Sequence, residues 1–174
     1  SNLTILEDSG TQTVNLSGIT IGPSNEAPQT LVVTATSSNP TLIPNPVVTY
    51  SSPNATGSLA FTPVANQNGT ATISVVVSDG AAVNSTVTQT FNVTVVAVND
   101  PPTISAISNV SVNEDAAAFT VNLTGITAGP NESQTLTVTA SSSNTTLIPA
   151  PVVSYTSPAT TGTLTLTPAA NQYG

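Results

Sequence analysis

A duplication inside the chain constrains the fold more than any other feature of the sequence. The segment SNLTILED at residues 1–8 returns as SNVSVNED at residues 108–115. The match continues through VNLSGITIGP against VNLTGITAGP and ends with GSLAFTPVANQNG against GTLTLTPAANQYG. A period of roughly 105 residues is the length of a whole domain, whereas solenoid repeats have periods of about 20–50 residues. The sequence therefore predicts tandem domains of one type.

The first copy contains strand-like segments separated by turn residues. Alternation of apolar and polar residues is clearest in residues 70–78 and 87–98, and no segment keeps a helical period. Short strands at such spacing are typical of two antiparallel sheets packed face to face. The predicted strands A to G cover residues 2–7, 12–19, 30–36, 47–51, 57–62, 70–78 and 87–98.

The repeat also predicts the domain boundaries. Residues 1–100 form a complete copy, residues 101–107 a Pro-rich junction, and residues 108–174 a partial second copy with strands A to E. Strands F and G are expected to be missing because Gly174 aligns with Gly69. Those two strands lie in one sheet beside C, so an apolar face would be uncovered. Two explanations stay open: a fragment of a longer repeat array, or a fibre subunit that receives the missing strands from another copy by donor-strand complementation.

The composition argues against several functions. The chain has eight carboxylates and no Lys, Arg, His, Cys, Met or Trp, which gives a net charge of −8. Affinity for nucleic acids and anionic membranes depends on cationic side chains, so neither partner is expected. No apolar run is long enough to span a membrane, so membrane insertion is not expected either. Acid–base and nucleophilic catalysis lose most of their usual side chains, and we expect no enzyme.

Three motifs resemble a known class of repeats. A strand ending in AVNDPPT, a following NED and the segment ANQNGTATISVVVSDG are similar to the tandem immunoglobulin-like or cadherin-like repeats of large bacterial surface proteins, adhesins and extracellular fibres. The resemblance implies an all-β fold of tandem immunoglobulin-like (cadherin-like) antiparallel β-sandwiches, the second of them incomplete. It also implies an extracellular or cell-surface location, no enzymatic activity and, in many such proteins, calcium between domains.

Carboxylates are expected to meet where the first copy ends. In a seven-stranded sandwich the A–B and E–F loops lie beside the exit of strand G, and the second copy enters there. Calcium takes about six to eight oxygen ligands from carboxylates, amides and carbonyls, and the chain has no cationic side chain to compete for them. The alternative is a Pro-stiffened linker with solvated turn residues. The predicted calcium ligands are Glu7, Asp8, Asn99, Asp100 and Glu132.

Asn-x-Ser/Thr sequons predict covalent glycans on the surface. The alternative is that Asn and Thr are polar residues of the outer strand faces, and Ser and Thr hydroxyls are equally open to O-linked sugars. The candidate asparagines are Asn2, Asn15, Asn54, Asn68, Asn84, Asn92, Asn109, Asn122, Asn131 and Asn144.

The sequence favours a structural role over a binding role. We predict a non-enzymatic extracellular structural repeat of a bacterial surface fibre or adhesin, whose partners are neighbouring repeats or copies of itself. The competing hypothesis is a ligand- or carbohydrate-binding adhesin domain, which needs a pocket with aromatic surfaces. The available tyrosines are Tyr50, Tyr155 and Tyr173, and the first two are repeat-equivalent, which indicates a scaffold role.

Overall fold

The computed structural model describes residues 1–22, 29–83 and 85–174. These residues divide into two compact units, Ser1–Val98 and Asn99–Gly174. Every helix or strand assigned within the described ranges is a β-strand. The all-β class predicted from the sequence is therefore confirmed.

The described residues of the first unit form two sheets, which together contain seven strands. One sheet has the order β1-β7-β6-β3 and the other has the order β2-β5-β4. Each strand begins and ends within two residues of the corresponding predicted strand, A to G. The strands are β1 (Leu3–Leu6), β2 (Gln12–Ser17), β3 (Val32–Ser37), β4 (Val47–Thr49), β5 (Thr56–Phe61), β6 (Gly69–Ser78) and β7 (Thr86–Val96).

One strand pairing departs from the predicted antiparallel pattern. Strand β1 runs parallel to β7, with Leu3 opposite Val93 and Leu6 opposite Val96. The reason is the direction of the chain: successive strands alternate in direction, so the first and the seventh point the same way. The other pairings, β3 with β6, β6 with β7, β2 with β5 and β4 with β5, are antiparallel for the same reason.

The core of the first unit lies between its two sheets because apolar and hydroxyl residues alternate along the strands. Ile73 in β6 is fully buried, whereas its neighbours Thr72 and Ser74 are half-buried on the opposite face. Val93 in β7 and Leu59 in β5 are also fully buried. Burying an aliphatic side chain of this size stabilises a fold by about 1.5–3 kcal/mol, so these positions supply the main packing energy.

The second unit repeats one of the two sheets. Its strands are β8 (Phe119–Leu123), β9 (Val152–Ser154) and β10 (Gly162–Leu166), in the order β8-β10-β9. By the sequence repeat they correspond to β2, β4 and β5, and their order matches β2-β5-β4. Leu164 of β10 lies opposite Val121 and Val153, just as Leu59 of β5 lies opposite Val14 and Val48.

The prediction that the second copy forms strands A to E is wrong for two of the five. Residues 110–113 and 137–142, which correspond to β1 and β3, form no strand. In the first unit β1 pairs with β7 and β3 pairs with β6, and residues 99–174 contain no equivalent of either partner. Without a partner strand, Val112 is 44% exposed, whereas its equivalent Ile5 is 8% exposed.

Candidate functional site

Glu7 is the one buried carboxylate of the first unit's described residues, and it lies directly after β1. Its side chain is 6% exposed, and its Oε1 accepts a hydrogen bond of 2.6 Å from the amide of Val98. Its own amide donates to the carbonyl of Val96 at 2.9 Å, which continues the pairing of β1 with β7. Buried charges in proteins are normally paired or bound to a metal, and this chain has no cationic side chain. A buried acid here is therefore an unusual feature.

Asp8 has a different role from its neighbour. Its Oδ1 accepts a hydrogen bond of 2.8 Å from the amide of Asn66, which ties the β1–β2 turn to the β5–β6 loop. Both residues have positive φ, 59° and 56°. The second unit repeats this contact, since Asp115 Oδ1 accepts a hydrogen bond of 2.8 Å from the amide of Asn171. A contact kept in both copies indicates that Asp8 holds two loops together, which competes with its predicted role as a calcium ligand.

The other predicted ligands belong to the second unit and form a polar cluster there. The amide of Asp100 donates to Glu132 Oε1 at 3.1 Å, and the side-chain amide of Asn99 donates to the carbonyl of Asp100 at 3.0 Å. Gly129 makes room for this cluster, because a Cβ at its position would lie 2.9 Å from Asp100 Cβ. Asn99, Asp100 and Glu132 thus come together as an oxygen-rich group.

Sequence reasoning missed one member of this cluster, Gln134. Its Nε2 donates to Asn99 Oδ1 and to Glu132 Oε2. The signal was present in the repeat: the loop PSNEAPQT shortens to PNESQT in the second copy and still keeps its Glu and its Gln. The pair is thus kept in the sequence of both copies across a two-residue deletion.

Each unit, taken by itself, offers ligands of the kind that calcium prefers. In the first unit Glu7 offers a carboxylate, and in the second the Asn99–Asp100–Glu132 cluster offers carboxylate and carboxamide oxygens. The side-chain oxygens named above accept hydrogen bonds from amide groups, and a carboxylate oxygen has further lone pairs to offer a metal. A cation would also compensate the buried charge of Glu7.

All the sequon asparagines within the described ranges are exposed, and Asn84 lies outside those ranges. Asn15 and Asn122 occupy equivalent outward positions on β2 and β8. Some of the others use their side chains within the fold: Asn2 Oδ1 accepts from the Asn92 amide at 3.1 Å, and Asn144 Oδ1 accepts from the Thr146 hydroxyl at 2.6 Å.

Two of the three tyrosines, Tyr50 and Tyr155, occupy equivalent places in the two units, whereas Tyr173 is 89% exposed. Tyr50 packs against the core, and its hydroxyl is buried. A Cβ at Gly57 would lie 3.2 Å from the Tyr50 ring, so the ring covers this glycine. Tyr155 and Gly162 repeat the arrangement at 3.3 Å. The repeated pair indicates the scaffold role predicted from the sequence.

Comparisons with known proteins assign no family. No family model and no curated protein matches the sequence. Among solved structures, the titin domains Z1Z2 in complex with telethonin are 16% identical over 97% of this chain and 78% of that chain, with a TM-score of 0.37. Domains 4–9 of the surface layer protein SbsC are 16% identical over 100% of this chain and 27% of that chain, with a TM-score of 0.36. Domains 4 and 5 of the S-layer protein SbsC are 26% identical over 80% of this chain and 60% of that chain, with a TM-score of 0.28.

TM-scores of this size assign neither a family nor a function. The resemblance to adhesin and fibre repeats therefore stays a prediction. Within the described ranges, no helix has the length and apolar character needed to cross a membrane.

Proposed function

We propose that the chain is a non-enzymatic structural repeat of an extracellular surface protein, either a fibre or an adhesin. The observation that supports this most strongly is the repetition of the same strand order and the same loop contact in both units. The sheet order β2-β5-β4 returns as β8-β10-β9, and the Asp8–Asn66 hydrogen bond returns between Asp115 and Asn171. Both copies thus keep the same scaffold, as expected for a repeat that adds length to a larger protein.

The distribution of charge supports an exposed structural role. The described carboxylates all lie outside the strands, in turns and connections. The outward positions of β7 carry Thr86, Thr88, Thr90, Asn92 and Thr94. Such faces are polar and uncharged, so they are well hydrated and offer many hydroxyls for sugars.

We further propose that the second unit is completed by two strands equivalent to β6 and β7. The support comes from the first unit, where these strands pair with β1 and β3 and cover the core. Strands β6 and β7 of the chain itself already serve the first unit, so the completing strands would lie outside residues 1–174. When a neighbouring copy of the parent protein supplies them, the contact joins different surfaces and generates a head-to-tail filament.

Electron micrographs of the native material test this assembly. Long unbranched filaments that survive dilution are expected. Micrographs that show only single, separate molecules at every concentration would contradict donor-strand assembly, while leaving the proposed scaffold role to be judged on its own tests.

Calcium at the end of the first copy is the second part of the proposal. The burial of Glu7 supports it, because the side chain is 6% exposed and the chain has no cationic side chain to pair with it. Calcium would supply the positive charge that the chain lacks. Glu7, Asp100 and Glu132 are the residues proposed to hold it, with Asn99 as a further oxygen donor.

Isothermal titration calorimetry with calcium chloride tests this, using Glu7→Gln as the variant and Glu114→Gln as its control. The two positions are repeat-equivalent, but Glu7 is buried and Glu114 is exposed. Glutamine keeps an oxygen to accept from the Val98 amide, so the fold should be retained. We expect Glu7→Gln to weaken calcium binding at least about tenfold and Glu114→Gln to leave it unchanged. If titration of the unsubstituted chain with calcium chloride gives no heat of binding, the proposed calcium site is refuted.

The sequons are proposed as glycan attachment points. Asn15 and Asn122 are the leading pair because both are exposed at equivalent positions on strands. Intact mass measurement of the native protein before and after enzymatic removal of N-linked glycans is the test. A native mass equal to the sequence mass would refute the proposal.

A further inference from the structure

The first unit has an open groove between the edges of its two sheets. Its walls come from β2 on one side and from β6 and β7 on the other, and its volume is 580 Å³. The apolar lining includes Val14, Leu16, Val77, Val87 and Phe91. Strand β1 pairs with only the last part of β7, at residues 93–96, so the rest of that edge of β7 is left without a neighbouring strand in the described part of the unit.

In the second unit, a short segment contacts residues 124–127, which follow β8 and are equivalent to residues 17–20 of the first unit. Thr103 and Thr127 form an antiparallel bridge in which each amide donates to the other carbonyl, at 3.0 and 3.2 Å. The amide of Ser105 donates to the carbonyl of Thr124 at 2.8 Å, and the Thr103 hydroxyl donates to the carbonyl of Gly125 at 2.9 Å. Residues 103–105 therefore lie alongside residues 124–127, the part of the chain that continues β8, and one isolated antiparallel bridge joins the two segments.

Two equivalent glycines differ in their surroundings because the second unit has this segment and the first does not. Gly18 and Gly125 are equivalent and have similar φ values of 71° and 65°. A Cβ at Gly125 would meet the Ser105 side chain and would lie 3.3 Å from its amide nitrogen, whereas a Cβ at Gly18 would have nothing within 4 Å. Gly125 thus allows a close approach that has no counterpart at Gly18.

The burial of equivalent apolar side chains also differs between the two units. Leu123 is 3% exposed, although the second unit has no equivalents of β6 and β7, whereas its counterpart Leu16 is only half-buried. Conversely, Ile104 and Ile107 are 48% and 49% exposed, and residues 99–174 contain no equivalent of the wall that β6 and β7 form in the first unit. The first unit therefore has the wall from β2 and the wall from β6 and β7, but no segment equivalent to residues 103–105. The second unit has that segment but lacks the wall that β6 and β7 provide.

We propose that the groove of the first unit is a docking site for an extended segment of the type Thr-Ile-Ser-Ala-Ile, which this chain carries at residues 103–107. The segment would pair with Thr20, the equivalent of Thr127, and its isoleucines would enter the apolar groove. This is β-strand addition, in which backbone hydrogen bonds give affinity and alternate side chains give specificity. The inference does not depend on calcium or on filament assembly.

The source of the segment follows from the repeat. Residues 99–107, with the sequence NDPPTISAI, immediately precede Ser108, and Ser108 is the equivalent of Ser1. A linker of the same type ahead of Ser1 would reach the groove in the register seen in the second unit. Each linker would then be an integral part of the copy that follows it.

The test is the full chain with NDPPTISAI fused directly before Ser1, compared with a matched control fusion of sequence NDPPTDSAD. Hydrogen exchange at the Thr20 amide is the readout, and Thr127 serves as the internal reference because its amide already has a partner. In the first fusion, a new hydrogen bond of typical net strength to the Thr20 amide should slow its exchange about three- to tenfold. In the control fusion, the exchange rate of this amide should be unchanged. The melting temperature of the first unit should rise by about 4–8 °C.

A second variant separates docking in the groove from a general effect of the added residues. Val87 lines the groove and is 61% exposed, so Val87→Asp should cost little stability in the chain without the extension. In the NDPPTISAI fusion it places a charge beside the docked isoleucines and should remove both the protection of Thr20 and the gain in melting temperature. Protection that persists in Val87→Asp, equal protection by the control fusion, or no protection by either fusion would overturn the proposal.

Discussion

The same substitution in the two copies should have very different costs. Leu59 in β5 and Leu164 in β10 are equivalent by the repeat, and each lies in the central strand of its three-stranded sheet. Leu59 is 0% exposed, while Leu164 is only half-buried, because residues 99–174 contain no strands equivalent to β6 and β7 to cover it. Leu59→Ala and Leu164→Ala therefore remove the same atoms from a closed core and from an open one.

The expected magnitudes follow from the two environments. Leu59→Ala loses the transfer free energy of the removed carbons and leaves a cavity, at a cost of about 3 kcal/mol to the unfolding free energy of the first unit. At Leu164 part of the side chain is already in water and no closed cavity forms, so the cost to the second unit should be about 1 kcal/mol or less.

Hydrogen exchange detected by mass spectrometry after pepsin digestion measures the two units separately in one sample. Thr13→Ala, on the exposed face of β2, is a control expected to change stability by less than about 0.5 kcal/mol. Equal losses in Leu59→Ala and Leu164→Ala would refute the reasoning, because they would mean that the sheet of the second unit is covered as completely as that of the first.

Two further substitutions test local contacts of the first unit. Gly57→Ala should destabilise it by about 1–3 kcal/mol in thermal melting, because a Cβ would lie 3.0 Å from the carbonyl oxygen of Thr49, whereas Gly10→Ala has nothing within 4 Å and should change little. Asp8→Ala removes the acceptor of the Asn66 amide and should lower the free energy of unfolding, measured by denaturant titration, by about 1 kcal/mol. Asp8→Asn keeps an acceptor oxygen and should retain most of that stability. Equal losses in the two variants would contradict the role of this hydrogen bond.

Most of the first unit could be predicted because its strands carry local signals. Apolar and hydroxyl residues alternate in β6 and β7, and a sheet buried on one face imposes that period wherever it lies in the chain. The parallel pairing of β1 with β7 was not predicted, because counting reversals gives the direction of each strand but not which strands are neighbours.

The strands that failed to form in the second copy show the limit of local signals. Residues 110–113 and 137–142 keep the strand-like pattern of β1 and β3, yet they form no ladder. A strand is stabilised by its neighbours, and the neighbours of these two are not among residues 99–174. The pattern predicts what a segment can do and not whether its partner is present.

The candidate site shows a similar limit. The sequence indicated that carboxylates would gather near the end of strand G, and Glu7 does bind Val98 there. It could not separate the roles of adjacent acids: Glu7 is buried, whereas Asp8 is exposed and bonds the amide of Asn66. That difference depends on backbone conformation, since Asp8 has a φ of 59°, which no local composition signal reveals.

The most direct test of the central claim is to give the second unit the two strands that it is proposed to receive. Because Gly174 is equivalent to Gly69, residues 70–98 can be repeated directly after Gly174. We predict that the amides of residues 110–113 and 137–142 then become protected from hydrogen exchange by more than about tenfold, since both segments gain a partner strand. A control extension with Asp at the positions of Ile73 and Val93 should give no protection. Unchanged exchange in both segments with the unaltered extension would contradict the claim that this chain is a sandwich repeat whose second copy is completed by such strands.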